Sequence, residues 1–324
     1  MITLQNICKT FRVSKREPGL LPAVRALFRR EYSLVKALDN VSFTIGDGEM
    51  VGYIGPNGAG KSSTIKVMSG ILTPDSGQCT VDGLVPWRDR REHVRRIGVV
   101  FGQRSQLWWD VPVGDSFQLL RDIYQVPQRE YRQSLEELTD QLDLEDLLKT
   151  PARQLSLGQR MRCELAASLL HRPGILFLDE PTIGLDAASK QAVRAFIRRI
   201  NRERGVTVLL TTHDMQDMEA LASRILLIGK GRILLDGTLD SLRRRYHAGK
   251  IITVEYDGGR FQPLPGLELR AQQGGRASFT ADPEQVSVSD AVRHLSGCYS
   301  LRDLTVESAS VEDMVLHLYQ EYAI

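Results

Sequence analysis

The sequence predicts an α/β domain built on a largely parallel sheet, followed by a smaller α+β module. Three observations carry this expectation. Strand-like and helical stretches alternate through most of the 324 residues, the pattern of a parallel sheet crossed by helices. Short unbroken apolar runs at 50–54, 97–101, 175–178, 206–211 and 225–228 read as strands buried on both faces. The character then changes near 241–250, where Arg243, Arg244 and Arg245 precede His247-Ala248-Gly249. A boundary is expected there, giving domains of 1–240 and 241–324.

Taken in order, helical periodicity predicts helices over 131–142, 158–170 and 189–204. Gly229-Lys230-Gly231 lies between two apolar runs and predicts a hairpin into a strand at 232–235. In the tail, strands are expected at 251–255, 267–271 and 277–280, then a helix at 288–295, a strand at 301–306 and a final helix from Ser310. A module of that size leans on partners for stability. Residues 12–36 form an insertion after the first strand. Leu20, Leu21, Val24, Leu27 and Phe28 fall at helical spacings within it, with Arg25, Arg29 and Arg30 interleaved. Two readings stand: a helix docked on the main domain, or a basic amphipathic element near lipid headgroups or a membrane subunit.

Composition narrows the classes. With 42% hydrophobic and 25% charged residues the chain reads as globular, and a net charge of +2 argues against a global nucleic-acid binder. Cys8, Cys79, Cys163 and Cys298 show no CxxC spacing, so reduced thiols are expected and neither a disulfide framework nor a zinc site. No basic segment followed by an apolar one opens the chain, so no signal peptide is expected. No apolar run approaches the roughly 20 residues that span a bilayer. Work at a membrane therefore calls for other subunits to cross it. Arg88, Arg90, Arg91, Arg95 and Arg96 form a basic run, read either as a solvated helix face or as a surface for anionic lipid.

The chemistry begins at Gly55-Pro56-Asn57-Gly58-Ala59-Gly60-Lys61-Ser62, which matches GxxxxGK[ST] after a predicted strand and before a helix. Gly55, Gly58 and Gly60 let backbone N–H groups converge on phosphate oxygens, and the helix N-terminus adds partial positive charge. Lys61 supplies a full charge between the outer phosphates, and Ser62 offers a hydroxyl to Mg²⁺. Asn57 and Ser63 join the loop as nucleotide contacts. Downstream, the run 175–178 delivers Asp179 and Glu180 at its C-terminal end, where open α/β sheets bind ligands. Asp179 suits Mg²⁺, which keeps several of its waters. Glu180 suits a base that takes a proton from an attacking water. Leu155-Ser156-Leu157-Gly158-Gln159 opens another helix with Ser156 as N-cap. A second anion-binding helix start in a chain with one phosphate loop suggests that ATP is completed from two protomers.

These motifs, in this order, resemble the ATP-binding-cassette ATPases from residue 1 to about 240. The resemblance implies a P-loop cassette with a RecA-like core, an antiparallel β-subdomain and a helical signature subdomain. Ser156, Gly158 and Gln159 lie in what resembles the family signature LSGGQ, with Leu157 where a glycine is usual. The resemblance makes Gln103 the Q-loop glutamine, a contact of Mg²⁺ or the attacking water. It makes Asp186 the D-loop aspartate on the dimer interface and His213 the switch histidine on the γ-phosphate. Phe11 matches the aromatic that stacks on adenine, with a core aromatic as the other reading. The implied mechanism is phosphoryl transfer to water, with ATP and Mg²⁺ sandwiched in a cassette dimer. A homodimer is the simpler default.

A single motif set and the short distance from Lys61 to Ser156 leave the transporter class. Ser310-Val311-Glu312-Asp313-Met314-Val315-Leu316 resembles the segment ending drug-exporter ATPases of the daunorubicin-resistance type. The segment from Val100 to Asp110, with the insertion after Phe11, resembles a bacterial subgroup that includes viologen-type exporters. The expected partner is therefore the transmembrane permease of an exporter, with the chain peripheral on the cytoplasmic membrane face. An importer ATPase with a ligand-sensing tail is the alternative, although its βαββαβ tail differs from the order expected here. Trp108 and Trp109, just past Gln103, read either as an aromatic anchor for a permease helix or as indoles packed inside the helical subdomain.

Overall fold

The computed structural model describes residues 1–14, 32–102, 104–212, 214–241, 250–282 and 285–308, together with 314, 315, 318, 319, 321 and 322. The described chain forms two compact units, Met1–Asp236 and Gly237–Ala323.

The first unit holds two sheets. A three-stranded antiparallel sheet is ordered β2-β1-β4, from β1 (Ile2–Ser14), β2 (Tyr32–Ile45) and β4 (Ser76–Val81). The larger sheet runs β5-β6-β7-β3-β8-β9, from β3 (Met50–Ile54), β5 (Ile97–Phe101), β6 (Ile175–Asp179), β7 (Thr207–Thr211), β8 (Arg224–Gly229) and β9 (Arg232–Thr238). Pairs β5·β6, β6·β7, β7·β3 and β3·β8 are parallel. Every residue of β3 and β7 is buried, as strands covered on both faces require. The two residues Lys230 and Gly231, at φ 48 and 78, turn β8 into β9, the positive pair that a tight hairpin needs.

Helices α1 (Lys61–Met68), α2 (Arg90–Arg96), α6 (Ala187–Arg204) and α7 (Met215–Leu221) interleave with these strands. Between β5 and β6, α3 (Val113–Tyr124), α4 (Gln128–Leu142) and α5 (Leu157–Leu169) form a helical group. α3 buries Val113, Phe117 and Leu120, while α4 buries Tyr131, Leu138 and Leu142, each one stripe of an amphipathic helix. One apolar cluster joins Ile2, Leu4, Val41 and Phe43 of the small sheet to Tyr53 and Ile65. The small sheet therefore seals the strand and helix that flank the phosphate loop.

The second unit is a four-stranded antiparallel sheet ordered β11-β12-β10-β13, from β10 (Lys250–Gly259), β11 (Leu267–Gln273), β12 (Arg276–Ala281) and β13 (Tyr299–Ser308). Helix α8 (Val288–Cys298) covers its core of Ile252, Val254, Phe279, Ala291 and Leu295. The order strand, strand, strand, helix, strand agrees with the alternation read in the sequence.

The insertion expected over 12–36 is shorter than that. Arg12–Ser14 continue β1 and Tyr32–Lys36 begin β2, pairing Arg12 with Leu34 and Phe11 with Val35. Antiparallel pairing takes up these ends, which lie outside the stretch of helical spacing. The rest of the insertion, including its apolar and arginine positions, lies outside the described residues, as do the arginines at 243–245.

Candidate active site

Gly60 caps α1 with φ 116 and no side-chain cap. The first-turn amides of the helix are thus left for a ligand in the loop before it. A Cβ at Gly60 would come within 2.7 Å of Ala37 O, and one at Gly55 within 2.2 Å of Ile228 O. Positive φ and crowding by backbone together demand glycine at Gly60, and crowding alone demands it at Gly55. Lys61 is 7% exposed, and its Nζ donates to Gly55 O at 2.5 Å and Pro56 O at 3.1 Å. Burial lowers its pKa, opposed by the nearby Glu180 and Asp179 carboxylates. Ser62 and Ser63 follow in the first turn, and Asn57 and Gly58 lie in the loop. Under the helix, Tyr53 Oη and Thr64 Oγ1 share a buried hydrogen bond at 3.0 Å.

Asp179 ends β6 opposite Thr211 of β7, and Thr211 Oγ1 donates to Asp179 Oδ1 at 2.6 Å. The amide of Glu180 donates to Thr211 O at 3.0 Å and to its Oγ1 at 3.1 Å. Glu180 adopts φ 56, a left-handed conformation that costs a non-glycine residue roughly 1–2 kcal/mol. Its neighbours hold it there: a Cβ on Gly102 would meet Glu180 O at 2.6 Å, and Gly102 N donates to Asp179 O at 2.8 Å. Lys61, Asp179 and Glu180 thus share one electrostatic neighbourhood. Gln103, next after Gly102, lies outside the described residues. So does His213, which follows Thr212.

A second group forms at the start of α5. Ser156 Oγ accepts from Gln159 N at 3.2 Å while Gln159 Oε1 accepts from Ser156 N at 2.9 Å. This reciprocal cap is worth about 1 kcal/mol. Asp186 caps α6 and accepts from Ser189 N at 2.9 Å and Ser189 Oγ at 2.8 Å, which lowers its pKa. A Cβ on Gly158 would stand 2.5 Å from Ser189 Oγ, and one on Gly184 would stand 2.8 Å from Leu157 Cδ2. The signature-like segment and the segment carrying Asp186 therefore abut within one chain. Leu157, in the unusual position, is what occupies the space over Gly184.

Phe11 is 37% exposed and pairs with Val35. Ala37, two residues further along β2, is the residue whose carbonyl crowds Gly60, about 7 Å along the strand. This exposure excludes the core-aromatic reading. Trp108 and Trp109 are 41% and 51% exposed, so neither is packed inside the helical group. Trp109 faces the Arg160 guanidinium, 5.7 Å from its ring centroid.

Several supporting groups escaped the sequence reading. Thr211 is one. Buried Asp217 accepts from Thr182, from Arg194 at 2.5 Å and from Thr212 at 3.0 Å, joining the turn after Glu180 to α6 and α7. Glu164, an acid within the apolar run of α5, is another. An isolated charge in a buried stretch was the signal available for both acids. All four cysteines are free. Among the described residues, no cluster of three His, Cys, Asp or Glu could hold a metal, and no helix is long and apolar enough to cross a membrane.

A loop of backbone amides, a buried lysine and two carboxylates at strand ends define a phosphate-loop ATPase of the α/β class. The family described as ABC transporter matches residues 38–183. The chain is 34% identical over 215 residues to the ABC transporter ATP-binding protein NatA of Bacillus subtilis, spanning 66% of this chain and 87% of that one. It is 33% identical over 296 residues to the daunorubicin resistance ATP-binding protein DrrA2 of Streptomyces coeruleorubidus, spanning 91% of each. A dimeric ATP-binding cassette solved in a post-hydrolysis state with ADP and Pi matches with TM-score 0.61 and 27% identity, covering 74% of this chain and 99% of that chain. This chain belongs to the ATP-binding-cassette transporter family. It binds and hydrolyses ATP as the ATPase subunit of a transporter, in a family whose members dimerise and act on transmembrane permeases.

Proposed function

We propose that this chain drives an exporter, closing as a homodimer on ATP and moving a separate permease at the cytoplasmic face of the membrane. The observation that carries the direction of transport is the reach of the similarity. Daunorubicin resistance proteins DrrA2 and DrrA3 align over 296 residues, about nine-tenths of this chain. The methionine import protein MetN of Mesorhizobium japonicum aligns over 218 residues, 66% of it. The tail is thus shared with the drug-resistance proteins, and its β10-β11-β12-α8-β13 order is not the βαββαβ order expected of a ligand-sensing importer tail.

In this mechanism the ATP phosphates lie on residues 55–63, with Lys61 neutralising charge between the outer two. Glu180 takes a proton from water as the water oxygen bonds to the γ-phosphorus. The bond from that phosphorus to the β–γ bridging oxygen breaks, and ADP and phosphate leave. The Ser62 hydroxyl, the Asp179 carboxylate and Gln103 are hard oxygen donors of the kind Mg²⁺ takes. When bound there, Mg²⁺ would neutralise developing phosphate charge. Ser156, Gly158 and Gln159 of the partner complete the γ-phosphate site, His213 serves as the switch histidine that contacts the γ-phosphate, and Asp186 serves at the dimer interface. Phe11 stacks on adenine. The exposed Trp108 and Trp109 fit an aromatic anchor for a permease helix.

The test is a tagged Glu180→Gln protein expressed in its native cell and purified with ATP from membranes in mild detergent. Export predicts copurifying polytopic permease subunits and no adjacent gene for an extracellular solute-binding protein. Such a gene beside the permease genes would make the transporter an importer, and soluble partners alone would end the transport reading.

A further inference from the structure

Two stretches of the helical group run side by side. Gly114 N donates to Leu148 O at 2.9 Å, Val113 N to Thr150 O at 3.1 Å, and Arg153 N to Trp109 O at 3.0 Å. Arg153 Nη1 pairs with Asp110 at 3.2 Å, and Arg160 stacks on Trp109. The last tie in this series is a carboxylate. Glu164 of α5 is 4% exposed, yet it sits among Met161, Cys163, Leu165, Ala166 and Ala167, all buried. A buried acid needs partners to be tolerated. Glu164 finds them in one place: it accepts from the Ser105 hydroxyl and, at 3.2 Å, from Gln106 N. The Gln106 side chain also donates to Glu164 O at 3.1 Å. Burial raises the Glu164 pKa, and these hydrogen bonds oppose the rise.

We infer that Glu164 is a positioning residue that fastens segment 105–109 to the signature helix, so that a permease docked on Trp108 and Trp109 moves together with Ser156–Gln159. The inference rests on the docking and two-protomer ATP reading above. An apolar residue would pack better against its neighbours on α5 but would take the acceptor from the Gln106 amide and leave the Ser105 hydroxyl only the longer bond to Leu107 O at 3.3 Å. Two hydrogen bonds accepted by one buried side chain at this point resist shear between the two stretches more strongly than an apolar contact, which has no direction. Glu164 lies eight positions after Ser156, the N-cap, and residues 157–164 between cap and tie are continuous α-helix, a span of about 12 Å.

Hydrogen–deuterium exchange on the full chain in a Glu180→Gln background, with and without ATP and Mg²⁺, tests this. In the parent, ATP is expected to slow exchange in both 105–109 and 156–159. Glu164→Ala should keep the response at 156–159 and lose it at 105–109, with the Gln106 amide exchanging about tenfold faster. Glu164→Gln should restore it, because its amide can accept from Gln106 N–H and donate to Ser105 Oγ. A merely structural glutamate would give no such selective loss or rescue. If Glu164→Ala does not fold, Ser105→Ala combined with Gln106→Ala removes the side-chain ties from the other stretch and should shift 105–109 in the same direction. An ATP response at 105–109 equal to the parent's in Glu164→Ala, or in the double variant if Glu164→Ala does not fold, overturns the inference. Absence of any ATP response at 156–159 in the parent overturns the two-protomer reading, and the inference with it.

Discussion

The hydroxyl of Thr211 donates to Asp179 Oδ1 at 2.6 Å across two parallel strands in register, and the same residue receives the amide of Glu180. One fully buried threonine therefore orients both carboxyl-bearing residues at the end of β6. Thr211→Val keeps the shape and removes the donor. It is expected to lower kcat for ATP hydrolysis about tenfold, the worth of one buried hydrogen bond to a charged group, while KM for ATP moves less than about twofold. Steady-state kinetics at saturating Mg²⁺ check this, and an unchanged kcat would detach Thr211 from the site.

Gly158 and Ser189 give a second prediction. A Cβ on Gly158 would displace the Ser189 hydroxyl from Asp186. Gly158→Ala should reduce ATP turnover, and Ser189→Gly placed on top of it should restore part of the loss. A double-mutant cycle is expected to show coupling of about 0.5–3 kcal/mol. Additive effects would mean that the two segments do not constrain each other.

His171 sets a pH dependence. Its ring stacks on Tyr124 with centroids 4.0 Å apart, and Nε2 donates to Ile97 O at 2.9 Å. Burial pulls its pKa from 6.5 down to about 4, against the opposing bond to Ile97. The folded pKa lies below the unfolded one, so the unfolded chain binds the proton first. Stability from neutral His171 is complete above pH 6.5 and falls as pH drops toward 4. The slope approaches about 1.4 kcal/mol per pH unit. His93, also buried and lowered in pKa, adds to the same limb. Urea midpoints between pH 7 and 4 should fall less steeply for His171→Gln than for the parent. Parallel limbs would show that the histidine titrates normally.

Replacing Trp108 and Trp109 with Ala bears on docking. Both residues are about half open to solvent, so the isolated chain should keep its thermal midpoint within a few degrees and its ATP affinity. Copurification of permease subunits should fall at least about tenfold, the loss typical of a hot-spot aromatic. An intact complex with normal transport would remove the anchor.

Much of the fold was legible in the sequence because its central strands are unbroken apolar runs. Met50–Ile54 and Ile97–Phe101 needed no partner to be read as strands. The tail was legible for a similar reason, since its strands are set off by glycine and polar turns. The insertion was less so. Helical spacing of its leucines said nothing of Arg12–Ser14 and Tyr32–Lys36, which long-range pairing draws into β1 and β2. Trp108 and Trp109 were equally open, because an indole is at home inside or outside until neighbours are known.

The sequence by itself determined the phosphate loop, the strand ending in Asp179 and Glu180, the capped start of α5, and hence the family and its ATPase chemistry. These are local patterns in which spacing along the chain is enough to imply the backbone geometry. Only the tertiary structure decided that Thr211 braces Asp179, that Gly158 abuts Ser189, and that Glu164 is tied to Ser105 and Gln106. Each of those contacts joins residues more than 30 positions apart. Their partners are chosen by how helices and strands pack, and no spacing in the chain encodes that choice.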